Sequence, residues 1–115
     1  MSDEAATPWQ GLVTIACRDD VWIVALEGEH DVSTAALVRK RLTDASVDQA
    51  VIVDLTTTSF IDGSVAFALY DAYRAETPPR IRFVVAPGTP PYRLFDLIGL
   101  DHLFPVYRRL KDALV

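Results

Sequence analysis

The sequence predicts a single α/β domain: a mixed, mainly parallel sheet of four or five strands with about four helices packed on it. Three observations carry this. Short β-prone apolar runs alternate with segments whose apolar residues recur every three or four positions. The run Ala50–Leu55 is apolar without alternation, which fits a strand buried on both faces. The chain has 115 residues, half of them hydrophobic, enough to bury a core without a metal or disulfide staple.

The elements follow in order. Residues 1–10 read as a flexible tail and residues 11–115 as the domain. Leu12–Ala16 is a short strand, Arg18-Asp19-Asp20 a turn, and Val21–Leu26 a second strand, so the two form a hairpin. Glu27-Gly28-Glu29-His30-Asp31 breaks the apolar pattern and reads as a loop. Asp31 or Ser33 then caps a helix over Thr34–Ala45, in which Leu37, Val38, Leu42 and Ala45 form the apolar stripe. After the buried strand, Thr56–Ser59 is a polar loop and Phe60-Ile61 returns to the core. Asp62-Gly63-Ser64 leads into a helix over Val65–Tyr73, ended by Thr77-Pro78-Pro79. Ile81–Val85 is the next strand and Pro87–Pro91 a loop. Tyr92–Ile98 is a short helix capped by Gly99. Pro105-Val106-Tyr107 reads as an edge strand and Arg108–Val115 as a terminal helix. The aromatic pairs Tyr70–Tyr73 and Tyr92–Phe95 have helical spacing and read as core. No internal repeat is visible.

Composition narrows the function. The formal net charge is −5, which disfavours nucleic acid and anionic membrane as partners, since both require clustered Lys and Arg. Arg39-Lys40-Arg41 reads as a solvated helix face. One cysteine, Cys17, cannot form an internal disulfide and reads as a small apolar filler or strand-end residue. The acidic start, with Asp3 and Glu4, is unlike a signal peptide. No apolar run approaches the ~18 residues that span a bilayer, so a cytoplasmic protein is expected. The usual dinucleotide, P-loop and nucleophile-elbow motifs are absent. His30 and His102 are the two histidines, and both read as solvated surface residues. With one cysteine they leave no Cys/His metal site. A non-enzymatic protein without metal, cofactor or catalytic residue is expected. A small enzyme or ligand binder using Asp31, Asp54 and Asp62, with magnesium, is the rival.

One constellation stands out. Partners of open α/β sheets meet the carboxyl ends of the strands. Two loops should share that edge: Gly28–Asp31, and Thr56–Ser64 after the buried strand. Parallel strands would bring Asp31 and Asp62 towards Ser64, which sits at a helix start, where free N–H groups and the helix dipole act. A phosphate on Ser64 would add a charge of about −1.5 to −2 beside two carboxylates and change the surface sharply. The plainer reading is that Asp31, Asp62 and Ser64 are ordinary helix caps.

Gly28-Glu29-His30-Asp31 resembles the Gly-Glu-[apolar]-Asp turn of the STAS domain in anti-sigma factor antagonists. Val51-Ile52-Val53-Asp54-Leu55 with Phe60-Ile61-Asp62 resembles that family's central strand and the approach to its switch. Gly63-Ser64 falls where the family reads Asp-Ser-Ser-Gly or Asp-[small]-[Ser/Thr]-Gly. Gly99-Leu100 lies near its Gly-Leu turn, and the likeness spans Leu12 to Val115. The resemblance implies a phosphoacceptor at Ser64 and a partner-binding edge of Asp31, Asp62, Gly63, Ser64 and Val65. It also implies an anti-sigma factor of the serine-kinase type as partner and a serine phosphatase that restores the free form. Two positions depart from the pattern. Val65 stands where the family has glycine, and His30 where it has an apolar residue. Val65 motivates the alternative of a STAS scaffold that binds without a phosphoswitch.

Overall fold

The structure, a computed structural model, describes residues 11–45, 49–75 and 79–115. The expected tail over 1–10 and the helix stop at Thr77-Pro78 lie outside the described residues. Asp19 and Asp20 both adopt positive φ (52° and 64°), the backbone that a tight two-residue hairpin turn demands. They join β1 (Leu12–Arg18) to β2 (Val21–His30) in an antiparallel pair running from Leu12↔Glu27 to Arg18↔Val21. The remaining elements are α1 (Val32–Ala45), β3 (Val51–Asp54), β4 (Thr58–Ile61), α2 (Gly63–Arg74), β5 (Ile81–Val84), α3 (Pro90–Ile98), α4 (Leu100–Leu103), β6 (Val106–Tyr107) and α5 (Leu110–Ala113). The sheet order is β1-β2-β3-β5-β6, and every pairing after the hairpin is parallel.

The main departure from expectation is β2. It does not end at Leu26 but runs on to His30. Its first half, Trp22–Ala25, pairs with β3. Its far end outruns β3 and pairs with β4, so the sheet has six strands rather than four or five. Gly28, at φ 80°, and a register shift between Gly28 and Glu29 form a bulge there. That bulge is what broke the apolar pattern. Thr58 is nearly fully buried in β4, and its hydroxyl donates to the Leu26 carbonyl, so a residue of the expected polar loop joins the sheet. Phe60, expected in the core, is 45% exposed, while Ile61 is buried. Among the described residues there are five helices, one more than the expected four: the addition is α4, a single turn entered through Gly99, whose φ of 81° caps α3 as expected.

Side chains alternate across β3, so its two faces pack differently. Val51 and Val53 face Val38 and Leu42 of α1, Val65, Leu69 and Ala72 of α2, and Phe95 of α3. Ile52 packs with Val84 of β5 against Ala113 of α5. Arg82 Nη1 donates to the Ala113 carbonyl at 2.5 Å and ties α5 down. Beside β5, Phe83 stacks on Phe104 with ring centroids 4.0 Å apart, and Phe95 and Tyr73 complete the cluster. Each large side chain fully buried there contributes roughly 1.5–3 kcal/mol. Phe95 is therefore core, whereas Tyr70, Tyr73 and Tyr92 are half-buried and pack against the core, Tyr70 with the Arg74 guanidinium 5.4 Å from its ring centroid. Leu37, expected on the buried stripe of α1, is 42% exposed. Cys17 is an exposed strand-end residue rather than a filler.

Candidate functional site

The site begins with strand geometry. His30 and Ile61 are paired partners at the ends of the parallel strands β2 and β4. Neighbouring strands lie about 4.8 Å apart. The residues that follow the pair, Asp31 and Asp62, therefore leave the sheet side by side. The Asp62 N–H donates to the His30 carbonyl at 3.2 Å and holds them there. The two aspartates are brought together by β4, whose residues read as loop in the sequence, and not by β3.

Each aspartate then starts a helix by the same local chemistry. Asp62 has extended backbone (φ −107°, ψ −177°) and is the N-cap of α2. Its Oδ1 accepts the Val65 N–H at 3.2 Å and the Ser64 hydroxyl at 2.6 Å. Asp31 Oδ1 accepts the Ser33 N–H at 2.9 Å and the Ser33 hydroxyl at 2.6 Å, just ahead of α1. These two bonds hold the exposed Asp31 carboxyl below the usual carboxylate range. Asp54 makes a third such turn with Thr56 at the end of β3. Among the described residues no three His, Cys, Asp or Glu side chains converge as metal ligands.

Of the five expected site residues, Asp31 and Gly63 are exposed and Asp62 and Ser64 are half-buried. Val65 is fully buried in the core and contributes its backbone N–H to the cap. His30 corrects the expectation of a solvated residue: it is fully buried. Its Nε2–H donates to the Glu27 carbonyl (3.1 Å), and its Nδ1 meets the Thr34 hydroxyl (3.0 Å). Burial pushes the imidazole below its ordinary value of 6.5. His102 is exposed, as expected.

Beside Ser64, two grooves flank Phe67. One, of about 270 Å³, runs between α1 and α2 past Val32, Ser64 and the Arg39–Asp71 ion pair (3.6 Å). The other, of about 280 Å³, is lined by Gly63, Tyr70, Leu94, Ile98 and Leu103. Phe67 is 71% exposed and Val32 74% exposed. Neither residue stands out in the sequence as a site residue. The available signal was phase: Phe67 falls outside the buried stripe Val65-Ala66-Ala68-Leu69-Ala72 of α2. The arrangement offers an anion-lined helix start with a serine hydroxyl, flanked by unpartnered apolar side chains. This is the make-up of a protein-docking edge, with exposed apolar anchors and a polar rim.

This fold is that of one family. Residues 13–113 match the STAS domain, and the chain belongs to that family. Among curated relatives, it is 32% identical over 105 residues to the anti-sigma-F factor antagonist RsfB of Mycobacterium tuberculosis, covering 89% of this chain and 85% of RsfB. Among solved structures, an anti-sigma factor antagonist from Mycobacterium paratuberculosis superposes with a TM-score of 0.84 at 26% identity over 96% of each chain. A Thermotoga maritima protein at 18% identity shares the fold, with a TM-score of 0.76 over 89% of this chain and 91% of its own.

Proposed function

We propose that this protein is an anti-sigma factor antagonist. It binds an anti-sigma factor of the serine-kinase type through Asp31, Asp62, Gly63, Ser64 and the backbone of Val65. Phosphorylation of Ser64 by that partner releases it, and a serine phosphatase restores the binding form. It acts in the cytoplasm, by binding and not by catalysis. The observation that carries the reading is the Ser64 hydroxyl, donated to Asp62 at 2.6 Å at the start of α2 and beside the Asp31 turn. The likeness to RsfB and to the Mycobacterium paratuberculosis antagonist supports it.

The chemistry of the switch follows from that bond. In phosphoryl transfer the Ser64 Oγ–P bond forms and the bridging P–O bond of the kinase's nucleoside triphosphate breaks. Asp62 is placed to take the hydroxyl proton. The product loses the only donor that Ser64 offered to Asp62 and sets a phosphate against a carboxylate. At ~4 Å and an effective dielectric of ~20 such repulsion is about 4 kcal/mol per pair of unit charges, and solvent screening lowers it. The attraction of the α2 dipole for the phosphate, about 0.3–1 kcal/mol, is smaller. Repulsion therefore wins, and the edge is remodelled without touching the core.

The test is affinity capture from the native host's lysate with wild-type, Ser64→Ala and Ser64→Glu baits. A kinase-like partner held by the first two and lost by the third supports the switch. Equal capture by all three favours the second reading, a STAS scaffold in which Ser64 is only a helix cap. That reading is motivated by the full burial of Val65 and by the cap bond itself.

A further inference from the structure

His30 stands where the resembled family has an apolar residue, and a buried apolar side chain would fill the same space without a desolvation cost. What the imidazole adds is connection. Its Nε2–H reaches back across the bulge to the Glu27 carbonyl, and its Nδ1 reaches forward to Thr34 in the first turn of α1. Its own carbonyl accepts the Asp62 N–H, the cap of α2. Gly11, just ahead of β1, packs closely on it: a Cβ there would overlap the Glu29 carbonyl oxygen and lie 2.7–2.8 Å from the ring. Three segments thus meet on the ring, and a fourth on the residue's own carbonyl.

We infer that His30 is a positioning residue for the Asp31–Ser64 edge: its ring ties the bulge of β2 to α1 while its carbonyl holds Asp62, so that both acidic turns are presented as one rigid surface. The role of that surface rests on the proposed function; the tie itself does not. The connection responds to protonation. A carbonyl only accepts, so the neutral ring carries its proton on Nε2 and Nδ1 accepts from the Thr34 hydroxyl. Thr34 Oγ1 also lies 3.2 Å from the Asp31 carbonyl, and its one proton serves only one acceptor. A proton on Nδ1 reverses the first bond and frees the Thr34 proton for Asp31. The ring's charge therefore reaches the residue that carries the site carboxylate. The groups facing His30 are the Asp31 carboxylate, the Glu27 and Leu12 backbones, the Glu29 segment of β2, Thr34 of α1 and the Asp62 cap of α2. Asp31 and the backbone acceptors favour the imidazolium, and burial outweighs them.

The test is amide hydrogen exchange on the full chain between pH 5 and 8, corrected for intrinsic rates. Wild type is compared with His30→Leu, which restores an apolar filler, and with Thr34→Val, which keeps the ring and removes the hydroxyl. His30→Leu is expected to lower protection at the Asp62 and Val65 amides at least tenfold, with Phe83 and Val85 in the sheet within twofold. Thr34→Val is expected to loosen the same amides by a smaller factor. Wild-type protection at Asp62 is expected to change with a midpoint below pH 6.5, and both variants to lose that step. Unchanged protection at Asp62 and Val65 in both variants overturns the inference. So does an equal loss throughout the sheet, which marks His30 as core filler; if His30→Leu does not fold, Thr34→Val decides. The Ser64 baits test the edge's role separately, so a flat capture result with a positive exchange result removes the function and keeps the tie.

Discussion

Replacing Asp62 with alanine separates the cap from the charge. In the structure Asp62 Oδ1 is the acceptor for the Val65 N–H at 3.2 Å and for the Ser64 hydroxyl at 2.6 Å. Loss of an N-cap acceptor costs about 1 kcal/mol, within a range of ~0.5–2. Loss of a negative charge at a helix N-terminus adds about 0.3–1 kcal/mol, reduced here by half-exposure. Ser64 is half-buried, so water replaces its lost acceptor at little cost. The sum is about 1–2 kcal/mol. For a domain of this size 1 kcal/mol shifts Tm by roughly 4 °C, so Asp62→Ala is expected to melt about 4–8 °C below wild type. Asp62→Asn keeps an acceptor oxygen and loses only the charge, and is expected to fall by no more than about 2–3 °C. Differential scanning calorimetry at pH 7 decides it. Asp62→Ala melting within 1 °C of wild type, or Asp62→Asn melting as low as the alanine variant, would refute the capping account.

His30 has its folded pKa lowered by burial, so the unfolded chain binds more protons below 6.5; stability is full above that pH and falls as pH drops below it, a slope that urea titrations should find absent in His30→Leu. Asp31 acts lower, its contribution present above its ordinary 3.8 and lost as pH falls through its depressed folded value. Gly11→Ala forces its Cβ onto backbone as well as onto the His30 ring, and is expected to cost about 1–3 kcal/mol by chemical denaturation. Phe67→Ser removes an exposed apolar ridge, so Tm should move little, about ±0.5 kcal/mol in stability, while capture of the partner falls. Leu69→Ala empties a fully buried site on the same helix and should cost about 2–5 kcal/mol.

Among the described residues no helix is long and apolar enough to cross a membrane, and no His, Cys, Asp and Glu cluster suits a metal. The edge at Asp31 and Asp62 brings together carboxylates, the Ser64 hydroxyl and the exposed Val32 and Phe67 side chains.

Local chemistry was legible in the residues themselves. The Asp19-Asp20 turn, the Gly99 cap and the helix start at Asp62 each depend on bonds spanning a few residues, and so are written in the sequence, while the Val51–Val53 strand shows in its unalternating apolar run although its partners lie far along the chain. The two aspartates could likewise be read as helix starters. What the chain did not reveal depends on partners far along it. Thr58 and Ser59 belong by composition to the polar loop Thr56–Ser59, and with Phe60 and Ile61 they form a strand where β2 overshoots β3 and offers an edge. His30 is polar and flanked by two acids, yet the convergence of β1, β4 and both helix starts removes it from water. Phe60 and Phe67 are apolar, yet packing leaves them outside. Sequence determined which residues could cap, turn and pair. Tertiary structure decided which of them were buried and which became neighbours, because burial and strand adjacency are set by segments that meet only in the folded chain.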